Sequence, residues 1–153
     1  MRTKNIVLFL VGFCAFITIE VLFRHYSYAI SGIMGGLAVV IIDKINDRIS
    51  WDMDLLLQGA IGCAIITFME LVVGVFARLF GYQMWDYSNL LLNYRGIICV
   101  PFSCAWFMLA IVAVFTADAI NYYVFGEEPV PYYRIAGKMR IRFKSREVLY
   151  ERN

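Results

Sequence analysis

Glu20 and Glu70 are the residues of this sequence best placed to do chemistry. Each is an ionisable group inside an apolar run, where a charge is costly and marks a functional candidate by default. Arg24 stands one turn beyond Glu20 on the same helical face, and Arg78 two turns beyond Glu70 with Gly74 between them. The following segment adds Trp85, Asp86, Tyr87, Asn93 and Arg95. Together these nine residues form the candidate ligand-binding set. The glutamates would accept cationic groups or protons, the arginines would hold anionic groups, and Trp85 and Tyr87 would cover the ligand. The competing reading makes Glu20 and Arg24 a local ion pair reaching to lipid headgroups and the aromatic residues an interfacial belt.

Other chemistries are poorly served. His25 is the only histidine, and Cys14, Cys63, Cys99 and Cys104 show no C-x-x-C spacing, so neither a metal site nor a cofactor is expected. The cysteines read as packing residues. No catalytic residue is assigned. The chain has no G-x-x-x-x-G-K-[ST] loop and so carries no ATPase of its own, nor does it show a hydrolase motif.

The elements that must position the glutamates follow from composition and run length. The 153 residues are 61% hydrophobic and 17% charged, and the mean hydropathy of +0.69 places the chain in a membrane. Four apolar runs extend over residues 5–23, 27–42, 55–80 and from Gly96 to Ala117 or beyond. Each approaches the roughly 20 residues needed to cross about 30 Å of hydrocarbon. The expected fold is all-α, an integral membrane bundle of four transmembrane helices over residues 1–126 with a basic C-terminal cytoplasmic tail over 127–153. A cleaved signal peptide competes for the first run, but Glu20 and Arg24 occupy the place of a small-residue cleavage site. In the second run, Ser31/Gly35 and Gly32/Gly36 set small residues one turn apart, a spacing that lets two helices approach closely. Packing within the chain is favoured there over a homodimer seam. Pro101 falls in the first turns of the fourth run, where a missing N–H costs least. If Asn5 and Leu55 mark the inner boundary, both glutamates lie about 15 residues inward, roughly 23 Å up their helices and level in the outer half of the bilayer.

Lys and Arg set the orientation. With the N-terminus inside, the cytoplasmic side receives Arg2, Lys4, Lys44, Arg48 and the tail cations Arg134, Lys138, Arg140, Arg142, Lys144, Arg146 and Arg152, while Arg24, Arg78 and Arg95 stay outside. Both termini are therefore expected to be cytoplasmic. Asp43, Lys44, Asn46, Asp47, Arg48, Asp52 and Asp54 read as a polar loop, and Asp118 as a solvated helix end. The tail alternates basic and apolar residues over 138–144, the period of a strand. Its expected partner is the anionic cytoplasmic leaflet, each cation contributing on the order of 1 kcal/mol near the surface. A docking strand for a partner protein is the alternative, and nucleic acid is not expected.

The stretches Met69-Glu70, Met84-Trp85-Asp86-Tyr87-Ser88 and Asn93-Tyr94-Arg95-Gly96, continuing to Trp106, resemble the putative ABC-transporter type IV, or CmpB-like, family of small membrane proteins. Glu20 with Arg24 is similar to that family's N-terminal pattern, whereas the first outer loop is shorter, the second span is richer in glycine, and the basic tail lies outside the resemblance. The resemblance implies a multi-pass protein of the bacterial cell membrane with a link to transport. The expected function is a transport or permease-like membrane subunit with a polar ligand pocket in the outer half of the bilayer. Four helices are few for a complete path, so a homo-oligomer or a separate partner subunit is expected, an ATPase in an ABC system. Two alternatives stand beside it: an accessory or regulatory membrane protein acting through its tail, and a small membrane enzyme using Glu70 or Asp86 as general base on a lipid or cell-wall precursor.

Overall fold

An apolar segment closes its backbone hydrogen bonds internally when helical, which is the condition lipid imposes. In the computed structural model, which describes residues 2–48, 50 and 52–147, the four runs become α1 (Arg2–Arg24), α2 (Ala29–Asn46), α3 (Leu55–Leu79) and α4 (Val100–Ala119). Arg152 lies outside the described residues, as do the side chains of Arg2 and Asn46. Among the described residues, α1, α3 and α4 with its extension to Val124 are long and apolar enough to cross a membrane. α2 has 18 residues and carries Asp43 and Lys44 in its last turns. The expected four helices are thus present, and three of them have the length and composition of a span. Large apolar side chains face outward, with Phe68 65% and Met108 62% exposed, as a lipid-facing surface requires.

The helices form two hairpins. α1 packs chiefly on α2 and α3 on α4, and α2 joins the pairs by touching both α3 and α4. The α1/α2 seam depends on glycine at both sides of one crossing. A Cβ on Gly35 would sit 2.5 Å from Phe16 Cβ and 2.7 Å from the Gly12 carbonyl oxygen, and Gly36 lies equally close to Phe9. The small-residue spacing of α2 therefore serves packing within the chain. Trp106, Ala110 and Val114 of α4 form the centre of the core with Ala38, Ile42, Leu55 and Ile66.

Two expectations about the end of the bundle that carries Lys4 are corrected. Asp43 is not a loop residue: α2 continues past it, and its carboxylate is buried against Lys4 Nζ at 3.4 Å. Asp118 is not a solvated helix end, because the chain after α4 folds back and covers it. Tyr133 donates its hydroxyl to Asp118 Oδ2 at 2.7 Å and is itself 1% exposed. Burial, and then the Asp118 carboxylate, push the Tyr133 hydroxyl above the ordinary tyrosine range and keep it a donor.

That return is a hairpin. A π turn, Ile120–Val124, extends α4, and Gly126 at φ +73° ends it. A two-stranded antiparallel sheet then follows, Tyr132–Ile135 paired with Lys138–Arg142, so the alternating segment is a strand as its period indicated. One face of the first strand enters the bundle core through Tyr133 beside Phe115 and Phe143. The second strand stays exposed along its whole length. On the other side the first strand reaches the start of α3 through a bridge between Asp54 and Arg134.

Replacing Gly35 by valine should lower the stability of the purified protein in detergent by about 1–3 kcal/mol, the usual cost of overpacking a tight contact. The readout is the thermal unfolding midpoint. Serine at the same position should cost less than valine, because the obstruction scales with side-chain volume.

Candidate functional site

Glu70 is carried to the middle of the bundle by α3 and is 4% exposed. A carboxylate this deep needs donors, and two aromatic residues supply them. Tyr87 Oη donates to Glu70 Oε1 at 2.9 Å and Trp106 Nε1 donates to Oε2 at 3.0 Å. From the other hairpin, Arg24 Nη2 donates to Tyr87 Oη at 3.3 Å while its Nη1 pairs with Glu20 Oε1 at 3.3 Å. Ser27, in the short connection between α1 and α2, donates to Glu20 Oε2 at 2.6 Å. Glu20, Arg24, Tyr87 and Glu70 therefore form one continuous chain of hydrogen bonds between α1 and α3.

Tyr87 reaches this position because the segment between α3 and α4 is held from several directions. Asp86 Oδ1 accepts both the amide, at 2.9 Å, and the hydroxyl, at 2.6 Å, of Ser88. These bonds hold the exposed Asp86 carboxyl below its ordinary range. The Tyr87 amide donates to the Gly96 carbonyl at 2.9 Å. Asn93 donates to the carbonyls of Ser88 and Leu90 and accepts from the Gly96 amide at 3.0 Å. Gly96 has φ +63°, and a Cβ there would collide with the Ser88 hydroxyl and approach Asp86 Oδ1 to 2.7 Å, so only glycine fits. Arg78 closes the segment from α3 by donating to the Arg95 and Gly96 carbonyls. Trp85 donates its indole N–H to the Ile97 carbonyl at 2.9 Å. Tyr87 then stacks on Phe102 of α4 with ring centroids 4.4 Å apart.

The nine residues singled out in the sequence thus separate into two groups. Glu20, Arg24, Glu70, Trp85 and Tyr87 line one cavity of about 620 Å³ between α1 and the α3/α4 hairpin. Arg78, Asp86, Asn93 and Arg95 lie outside it; the first three hold the loop, and Arg95 lies exposed over the Tyr94 ring at 5.6 Å. Two contributors escaped the sequence reading. Ser27 gave no signal, being one hydroxyl in a polar turn. Trp106 could have been found, since an indole N–H in mid-span requires an acceptor and Glu70 is the acid available to it.

The cavity is polar at one end only. Its other walls are Phe16, Ile19 and Phe23 of α1 and Phe102, Ala105 and Leu109 of α4. A second apolar space of about 150 Å³ adjoins it, sharing Phe16, Ile19, Met34 and Trp106 and running on past Gly12 and Val39. Among the described residues no group of three or more His, Cys, Asp or Glu side chains is arranged to hold a metal.

Tyr87→Phe should lower stability by about 1–3 kcal/mol, because it leaves Glu70 Oε1 without its buried donor. Differential scanning in detergent measures the loss. Trp106→Phe should act in the same direction through Oε2.

Comparison with known proteins places the chain in a family. The family model described as putative ABC-transporter type IV matches residues 4–136, and the chain belongs to that family. Neither curated proteins nor solved structures yield a match.

Proposed function

Proceeding from that membership, we propose that the chain is a membrane subunit of a bacterial transport system whose outer cavity receives an amphiphilic ligand. The observation that supports this is the composition of the cavity. Two carboxylates and one guanidinium line it beside apolar walls, and a second, apolar cavity shares Phe16, Ile19, Met34 and Leu109 with it. A head with ammonium or hydroxyl donors would meet Glu20 and Glu70, and an alkyl chain would follow Phe16, Ile19 and Leu109. Because α1 packs chiefly on α2, the seam between α1 and α4 is the open side through which such a ligand would enter from lipid.

In this reading α2 is the fourth span. Its 18 residues cover about 27 Å at 1.5 Å per residue, and it packs along α1 through Gly32, Gly35 and Gly36. Both termini are cytoplasmic by the distribution of Lys and Arg. The protein holds no nucleotide-binding motif, so energy from ATP would come through a separate subunit.

A second reading, that the chain acts as an accessory protein through its tail, is favoured by the exposed strand Lys138–Arg142. Lys138, Arg140 and Arg142 alternate with Met139 and Ile141, which are 58% and 39% exposed. That pattern suits the anionic cytoplasmic leaflet. Replacing the three cations by glutamine should reduce the anionic lipid that copurifies with the protein, as measured by mass spectrometry, and leave the outer cavity unchanged.

Quenching of tryptophan fluorescence by a brominated long-chain alkylamine tests the main reading, since Trp85 and Trp106 both line the cavity. Saturable quenching is expected, with the apparent Kd raised about tenfold or more in Glu20→Gln. A brominated alcohol of equal chain length should bind more weakly than the amine. Equal quenching by amine and alcohol, unchanged by Glu20→Gln, would sink the assignment.

A further inference from the structure

The cavity between α1 and the α3/α4 hairpin already contains a cation of the kind that its carboxylates would take from a ligand. Arg24 is the last residue of α1, and it lines the cavity with Glu20, Glu70 and Tyr87. Among the described residues that line this space it is the one cation, and two carboxylates share the space with it. Both of its terminal nitrogens are engaged, Nη1 with Glu20 Oε1 at 3.3 Å and Nη2 with Tyr87 Oη at 3.3 Å. Each contact is longer than the roughly 2.7–3.2 Å usual for an N–H···O bond. The guanidinium is held there without being clamped.

The consequence of its leaving can be followed atom by atom. Glu20 Oε2 keeps the Ser27 hydroxyl at 2.6 Å. Glu70 keeps Tyr87 at 2.9 Å and Trp106 at 3.0 Å, because the Tyr87 hydroxyl donates to Glu70 and only accepts from Arg24. Glu20 Oε1 is the carboxylate oxygen that loses a donor. An ammonium arriving from a ligand gives that oxygen a new one and leaves the net charge of the site as it was. With Arg24 still in place, the same ammonium would meet a like charge beside it, which opposes binding. The displaced guanidinium has somewhere to go. Its side chain is 22% exposed at the end of the helix, where His25 turns the chain away at φ +63°, and a long stem of this kind reaches water and headgroup oxygens.

We propose that Arg24 is the resident occupant of the ammonium subsite, so that an amine ligand binds by exchange with its guanidinium and Arg24 sets the affinity and head-group selectivity of the cavity. This rests on the reading of the cavity as a site for an amphiphilic ligand. It differs from the role that the sequence suggests for Arg24, which is to hold an anionic group.

Tryptophan quenching by a brominated long-chain alkylamine and by the alcohol of equal chain length, on the full chain in neutral phosphatidylcholine nanodiscs at fixed ionic strength, tests the exchange. Arg24→Gln should lower the apparent Kd of the amine about threefold or more, as removal of a competing ion pair of modest strength implies. The gain for the alcohol should be smaller. Arg24→Lys keeps the charge while giving up the guanidinium contacts, and should show at most a fraction of the gain. Saturable amine binding that Arg24→Gln leaves unchanged or weakens overturns the exchange alone. The exchange is equally overturned if amine and alcohol tighten alike, or if Arg24→Lys tightens the amine as much as Arg24→Gln, since either result means only a loosened cavity. Absence of saturable quenching by the amine in both the intact protein and Arg24→Gln overturns the ligand reading of the cavity and the exchange with it.

Discussion

The Tyr87 hydroxyl, placed between Glu70 and Arg24, is the contact on which this end of the bundle depends. A lone carboxylate at the depth of Glu70 is strongly unfavourable, and leaving a buried acceptor without its donor costs about 1–3 kcal/mol. Glu70 is tolerated because Tyr87 and Trp106 each give one oxygen a donor. Tyr87 in turn is the acceptor through which Arg24 connects α1 to the α3/α4 hairpin. Across a seam where α1 otherwise makes few contacts, this polar bridge and the Phe16–Trp106 ring contact at 5.5 Å join the two halves.

The segment between α3 and α4 exists in its observed form to aim that hydroxyl. Asp86, Ser88, Asn93 and Gly96 give partners to one another's polar groups and so hold an irregular stretch of backbone in one form. Arg78 contributes by donating to carbonyl oxygens. The Trp-Asp-Tyr-Ser string and the Asn and Arg-Gly behind it are therefore parts of one scaffold, of which Tyr87 supplies the arm reaching the site. The charged residues of a site and the charged residues that build it look alike in sequence, and only the partner atoms separate them.

The two ends of the bundle solve the problem of buried charge differently. At the end that holds Tyr87 each carboxylate oxygen of Glu20 and Glu70 has a donor, and the remaining space is largely apolar. At the other end one ammonium, that of Lys4, is shared among Asp43, Asp47 and Glu127. Lys4 links α1 to the end of α2 and to the segment after α4, so at both ends polar contacts tie α1 to elements on which the apolar core packs it less closely than on α2.

Apolar run lengths determined by themselves that the chain would form four helices, because a backbone in lipid has no other partner for its amides. The alternation of Lys138 to Lys144 likewise determined a strand, and Glu20 and Glu70, each about 15 residues beyond the start of its apolar run at Asn5 or Leu55, come to line one cavity. What tertiary structure decided was which groups turn toward one another. Asp43 and Asp118 read as solvent-facing because both stand at the ends of apolar runs; they are buried because Lys4 and Tyr133, distant in sequence, fold over them. Arg78, Asp86 and Asn93 read as ligand-binding residues, and their side chains bond to groups of the loop between α3 and α4. Helix length is a local property of the chain, whereas the direction of a side chain depends on partners that spacing along the sequence does not contain.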